Sequence, residues 1–298
     1  MRRLTTFSCE GATLAATLDD APGAPDAIPP TTGLLIVTGG TQTRIGAHRG
    51  LARLAAAVAA AGFPVFRFER RGVGDSDGTD PGFADSGPDI AAASAAFRSE
   101  CPGLTRMLGF GLCDGATALA LHHAAAGIDG LILANPWTID AAAGPGAHEH
   151  PEANPLPPAA AIRRRYLDRL TSLDAWKRLL TGGIDYRAAL RGVAAISRRQ
   201  APPALATAMG GALTSGGRPV EIVLATRDAT ALAFAEAWRG PAFAGLRGGG
   251  RGGVTEIDSH SHSFATGNDP ARLAALCVAA LDRAGNRGEI GAAFPRRA

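Results

Sequence analysis

Gly111-Leu112-Cys113-Asp114-Gly115 sets a thiol between two glycines, where an apolar run over 105–110 gives way to an Ala- and Leu-rich helical pattern. A nucleophile at such a strand-to-helix turn stands exposed above the sheet, and small neighbours accommodate the strained backbone. The following helix presents its positive end to the sulfur, which favours the reactive thiolate. The simpler alternative is a cysteine packed as a small hydrophobe in a tight turn. A triad built on such a strand-to-helix turn also needs a carboxylate and a histidine later in the chain, in the order nucleophile, acid, base. Asp228 lies just beyond the apolar run 220–225, where it also suits the N-cap of a helix beginning near Thr230. Asp258-Ser259-His260-Ser261-His262-Ser263-Phe264 follows the run 254–257 and offers two histidines as the base. An oxyanion would require two backbone N–H donors. Asp114, next after the thiol, supplies one; the loop Gly39-Gly40-Thr41-Gln42 supplies the other, through Gly40 or Thr41.

These groups must be held by a sheet. Short apolar runs at 33–38, 64–68, 105–110, 130–134, 220–225 and 254–257 alternate with helical patterns near 51–61, 90–99, 115–126, 230–238 and 270–284. Such alternation predicts an α/β fold with a mostly parallel sheet and crossover helices. Residues 4–9 and 12–18 read as an antiparallel opening pair. After Trp137 the strand signal stops. A Pro-, Gly- and His-rich stretch leads into helical patterns at 158–170, 173–180 and 186–200, the second opening on Thr171 and Asp174 as a capping box. Residues 1–139 and 216–298 are therefore expected to form the core, with 140–215 a helical cap.

The chain has 298 residues, with Lys+Arg 30 against Asp+Glu 27, a net charge of +3. That balance is too even for a nucleic-acid binder working through a basic field. Lys177 is the sole lysine among the 30 basic residues, which reads as compositional bias. A hydrophobic share of 46% argues against disorder. Neither a secretory apolar run nor a transmembrane run is evident, and four widely spaced cysteines suit free thiols in a reducing cytoplasm.

Beyond the cysteine turn, Ile36-Val37-Thr38-Gly39-Gly40 with Gln42, Arg44, Gly46, His48 and Arg49, then Arg70-Arg71-Gly72-Val73-Gly74-Asp75-Ser76-Asp77-Gly78, and Asn135-Pro136-Trp137 give the chain a specific likeness. It resembles the exosortase A system-associated hydrolases, type 1, of the α/β-hydrolase superfamily. The resemblance spans the chain and is densest over 33–137. It implies the α/β-hydrolase fold, a mostly parallel twisted sheet flanked by helices with a helical cap insert, and a setting beside exopolysaccharide and exosortase genes. It also selects His262 over His260, since His262-Ser263-Phe264 fits the family pattern, and it places the acid at Asp228.

A thiolate is both a strong nucleophile and a good leaving group. Attack on an amide would tend to collapse back, whereas esters and thioesters can go forward to an acyl-cysteine. The expected reaction is hydrolysis of a small-molecule ester or thioester through Cys113, with Asp228 and His262, without cofactor or metal. Acyl transfer to a sugar hydroxyl, or a non-catalytic scaffold, are the alternatives. His48 and Arg49 are equally a substrate-orienting pair or a solvated helix start. Arg163-Arg164-Arg165 reads as a wet helix face. His122 and His123 lack carboxylate or thiol neighbours at metal-ligand spacing. The glycine-rich 245–253 stretch reads as a lengthened turn, not a phosphate cradle. Oligomeric state is not legible.

Overall fold

Eight strands form one sheet in the order β1-β2-β4-β3-β5-β6-β7-β8 in a computed structural model that describes residues 1–21, 30–139 and 204–285. The strands are β1 (Arg2–Cys9), β2 (Ala12–Asp19), β3 (Thr32–Val37), β4 (Val65–Phe68), β5 (Arg106–Leu112), β6 (Gly130–Ala134), β7 (Val220–Ala225) and β8 (Gly252–Ile257). The β1–β2 and β2–β4 pairs are antiparallel, and every pairing from β4 through β8 is parallel. The expected opening pair and parallel sheet are therefore both present. The expected cap helices over 158–200, with Arg163, Arg164 and Arg165 and the Thr171–Asp174 pair, lie outside the described residues.

The two-residue period of the central strands sorts their side chains between two cores. Leu35, Val37, Leu131, Leu133, Ile222 and Leu224 face one way. They meet α2 (Gly87–Glu100), α3 (Asp114–His122), α4 (Ala204–Gly216) and α5 (Ala229–Arg239). Leu34, Ile36, Ile132, Ala134, Val223 and Ala225 face the other way, onto α1 (Gly50–Ala60) and α7 (Asp269–Gly285). Both faces being covered explains why these strands read as unbroken apolar runs.

Residues 204–215, assigned to the end of the cap from sequence, form α4, whose Ala206, Met209 and Leu213 are buried in the first core. Part of the glycine-rich stretch departs from expectation. It opens as the short helix α6 (Ala244–Gly248), and Gly252 and Gly253 already belong to β8. The reason is apolar anchoring: Leu246 and Phe243 are buried, and Gly252 lies where a Cβ would stand 2.9 Å from both Leu246 and Trp238. Helix α3 also stops earlier than its pattern suggests, turning after His122 while the buried His123 ring bonds back to the Ala120 carbonyl at 2.9 Å. Among the described residues no helix is long and apolar enough to cross a membrane.

Candidate active site

The C-terminal ends of β5, β6, β7 and β8 lie side by side, and each leads into one loop of the site. β5 ends at Leu112, and Cys113 follows with φ 59° and ψ −128°, outside the ordinary regions for a non-glycine residue. Such a conformation costs on the order of 1–3 kcal/mol and persists only where the surroundings impose it. Here they do. Cys113 N–H donates to the Ala134 carbonyl at 3.0 Å, while the Cys113 carbonyl accepts from Ala116, Thr117 and Trp137 N–H groups at 3.1 to 3.3 Å. The flanking glycines are required by close approach: a Cβ on Gly111 would lie 2.5 Å from Ala116 Cα, and one on Gly115 2.6 Å from the Thr38 carbonyl oxygen. Cys113 is half-buried, at the first residue before α3.

The acid and base loops converge. His262 Nδ1 lies 3.1 Å from Asp228 Oδ2, with Asp228 mostly buried and His262 partly exposed. The same Asp228 oxygen accepts from Ala231 N–H at 2.9 Å, so Asp228 is also the N-cap of α5. The N-cap reading of Asp228 therefore holds, and the same oxygen also meets His262. Burial by itself would lower the His262 pKa, but hydrogen bonds with Asp228 and Cys113 outweigh it and hold the imidazole up at about 10. His260, two residues earlier, is exposed.

The oxyanion loop is less simple. Gly40 N–H points at the Asp114 carboxylate, 2.6 Å from Oδ1. Burial raises the Asp114 pKa, opposed by this bond, by the nearby Arg70 charge and by the amides of Gly115 and Asp114 itself. One of the expected donors is thus already engaged by an internal carboxyl oxygen, and Thr41 beside it is exposed. The loop is fixed from below. Arg44 pairs with the buried Glu69 at 2.8 Å and with Asp75 at 3.0 Å, and its carbonyl accepts from the buried Arg67 at 2.6 Å. Glu69 also accepts from the N–H groups of Arg44 and Asp75, at 3.0 and 2.8 Å. Glu69, Arg67 and Asp75 therefore buttress the loop through Arg44.

His48 and Arg49 are exposed, both with left-handed φ, at the turn before α1. His48 edges a largely apolar cavity of about 210 Å³ lined by Phe110, Leu112, Phe264 and Leu273, among others; Arg49 does not line it. Among the described residues no three His, Cys, Asp or Glu side chains are grouped to hold a metal ion. His122 spends its Nε2 on the Ala84 carbonyl at 2.8 Å. Sequence reasoning missed three contributors: the Asp114 side chain, the Glu69–Arg44 support and Asn135. Asn135 had a signal as part of the Asn135-Pro136-Trp137 motif directly after a strand, and Arg44 as part of the motif that follows Gly40.

No protein-family model matches the chain. No curated protein matches it by sequence. Solved structures do match in fold. An esterase of Pyrococcus furiosus is 12% identical, with a TM-score of 0.61 over 95% of this chain and 91% of that one. Est1E of Butyrivibrio proteoclasticus, solved with ferulic acid bound, is 15% identical, with a TM-score of 0.58 over 94% and 98%. A Xanthomonas campestris protein described as an α/β serine hydrolase without a lid is 16% identical, with a TM-score of 0.52 over 98% and 97%. The chain has the α/β-hydrolase fold.

Proposed function

We infer that this protein hydrolyses a small-molecule ester or thioester through an acyl-Cys113 intermediate. One observation carries the reading: the Asp228–His262 contact of 3.1 Å, in loops that follow β7 and β8 of the sheet in which β5 ends at the strained Cys113 turn. In this mechanism His262 already holds the thiol's proton as an imidazolium, and Cys113 Sγ attacks the acyl carbon as the thiolate. Asp228 keeps the ring's Nδ1–H turned toward itself and stabilises the imidazolium. His262 then returns a proton to the leaving alcohol or thiol. Water, activated by the same ring, attacks the acyl-cysteine and frees the thiol.

The esterases among the structural neighbours agree with ester chemistry, but one neighbour is described as a serine hydrolase and this chain carries cysteine at the turn. That difference favours substrates with good leaving groups, because a tetrahedral adduct of cysteine expels thiolate easily. The resemblance to exosortase-associated hydrolases suggests an exopolysaccharide setting, and the four free cysteines suit a reducing compartment.

Intact-protein mass spectrometry tests the reading. Wild type and Cys113→Ala are mixed with p-nitrophenyl esters and acyl thioesters and sampled at early times. An acyl adduct on wild type alone, with steady release of acid, is the expected result. An adduct that persists until a sugar hydroxyl is supplied would make the protein an acyltransferase. No adduct from any donor, with Cys113 also inert to iodoacetamide, would overturn the nucleophile assignment.

A further inference from the structure

We propose that Asn135 is a positioning residue that ties the acid and base loops to the nucleophile turn. β6, which it follows, lies between β5, the strand of Cys113, and β7, the strand leading to Asp228. Asn135 is fully buried and has φ 41°, the left-handed region that Asn tolerates better than most side chains. Its Nδ2 donates to the His262 carbonyl at 2.7 Å, and its Oδ1 accepts from Ala225 N–H at 2.8 Å. The Ala225 carbonyl in turn accepts from Asp228 N–H at 3.0 Å. One amide thus connects the backbone of the base to the strand end that delivers the acid.

The neighbours of Asn135 complete the link to the thiol. The Ala134 carbonyl accepts from Cys113 N–H at 3.0 Å, and Trp137 N–H donates to the Cys113 carbonyl at 3.2 Å. Thr117 Oγ1, one turn into α3, donates to the Trp137 carbonyl at 2.6 Å. Residues 134–137 are therefore bonded to the loops of Cys113, Asp228 and His262 alike. The backbone pairing of β6 with β7 ends at Ala134 and Val223. Asn135 N–H donates to the Val223 carbonyl at 2.9 Å, and its side chain supplies the next bond.

The chemistry demands an amide. Turning it over would set NH2 against the Ala225 N–H and oxygen against the His262 carbonyl, so the contacts fix both ends. An aspartate would keep the first bond and oppose the second. Fixing the His262 backbone limits how far the ring can wander from sulfur, and a misplacement of about 1 Å in a catalytic group can cost about 100-fold in rate.

The proposal rests on the reading of Cys113, Asp228 and His262 as one unit, and the test separates the two. The rate of Cys113 alkylation by iodoacetamide is followed against pH, with thermal unfolding in parallel, for wild type, His262→Ala, Asn135→Asp and Asn135→Gly. Glycine accepts the positive φ without strain and removes both side-chain bonds. We expect His262→Ala to slow alkylation at neutral pH. Both Asn135 variants should unfold cooperatively, lose about tenfold in rate, and move their pH profile toward that of His262→Ala. If His262→Ala differs from wild type while both Asn135 variants retain the wild-type profile, the positioning role falls and the triad stands. Should His262→Ala match wild type, the triad reading fails and takes the proposal with it. Failure of both Asn135 variants to fold would reduce the residue to a structural one and also overturn the proposal.

Discussion

Asp228 Oδ2 receives two donors at once, Ala231 N–H at 2.9 Å and the His262 ring at 3.1 Å, and this makes Asp228→Asn an unusual test. An asparagine can turn oxygen or NH2 toward that point. The fixed Ala231 N–H repels NH2 and selects oxygen, so the amide keeps the cap and still accepts the imidazole Nδ1–H. The correct tautomer survives, and only the negative charge is lost. A hydrogen bond to a charged group is worth about 1.5–3 kcal/mol, against about 0.5–1.5 for a neutral one. The difference of about 1–2 kcal/mol corresponds to a rate loss of about 5- to 30-fold. Asp228→Ala removes acceptor, charge and cap together. Its rate should fall by about 10⁴, as when a triad acid is deleted elsewhere. Its stability should fall by about 1 kcal/mol from the cap, or about 2–4 °C in Tm for a domain of this size. Asparagine should lose less in Tm than alanine. The assay is hydrolysis of the ester that acylates wild type most rapidly, with Tm by calorimetry. If Asn and Ala lose rate equally, the amide has presented NH2 to the ring and the shared-oxygen argument is wrong. If neither loses more than about threefold, Asp228 is not the acid.

Three further outcomes are expected. Asp114→Ala removes the acceptor that holds Gly40 N–H and frees that donor for the oxyanion, so acylation by esters should quicken, by up to about tenfold; a slower variant would mean that the carboxyl group supports the loop instead of competing with substrate. The imidazole of His262 is raised from 6.5 to about 10, so the folded protein keeps a proton that the unfolded chain releases in that window. The contribution of His262 is therefore complete below about pH 6.5 and is lost as pH rises toward 10. Denaturant unfolding at pH 7 and 8.5 should show wild type losing more stability than His262→Gln, whereas parallel losses would contradict the assignment. The buried thiols of Cys9 and Cys277, raised to about 11 and about 12, add the same sign only above the ordinary thiol range near 9. Finally, Asp19→Ala would strand Arg67, whose side chain is 2% exposed and paired with Asp19 at 2.8 Å. Urea unfolding should show a loss of about 3–5 kcal/mol, and a loss under about 1 would mean that the guanidinium is satisfied by the Arg44 carbonyl alone.

How much could be read from the chain depended on how local the cause was. The strands announced themselves because burial on both faces leaves an unbroken apolar run, as in Leu34-Leu35-Ile36-Val37. The turn at Cys113 was legible because close backbone approach admits only glycine on either side, and the loops of Asp228 and His262 because each follows such a run. The α6 helix was not legible: glycines argue for a turn, and only the burial of Leu246 against the rest of the core outweighs them. Likewise Asp114, next in line to the thiol, gave no hint that its carboxylate reaches a loop 74 residues away. The pairing of Asp228 with His262, and the bridge through Asn135 to residues 90 and 127 positions on, arise from the strand order β5-β6-β7-β8. Sequence determined which groups were available and roughly which loops bore them. Distance, shared oxygens and the carboxyl group at Gly40 were decided by the tertiary structure, because hydrogen bonds between loops depend on how strands are ordered in space and leave no periodicity in the chain.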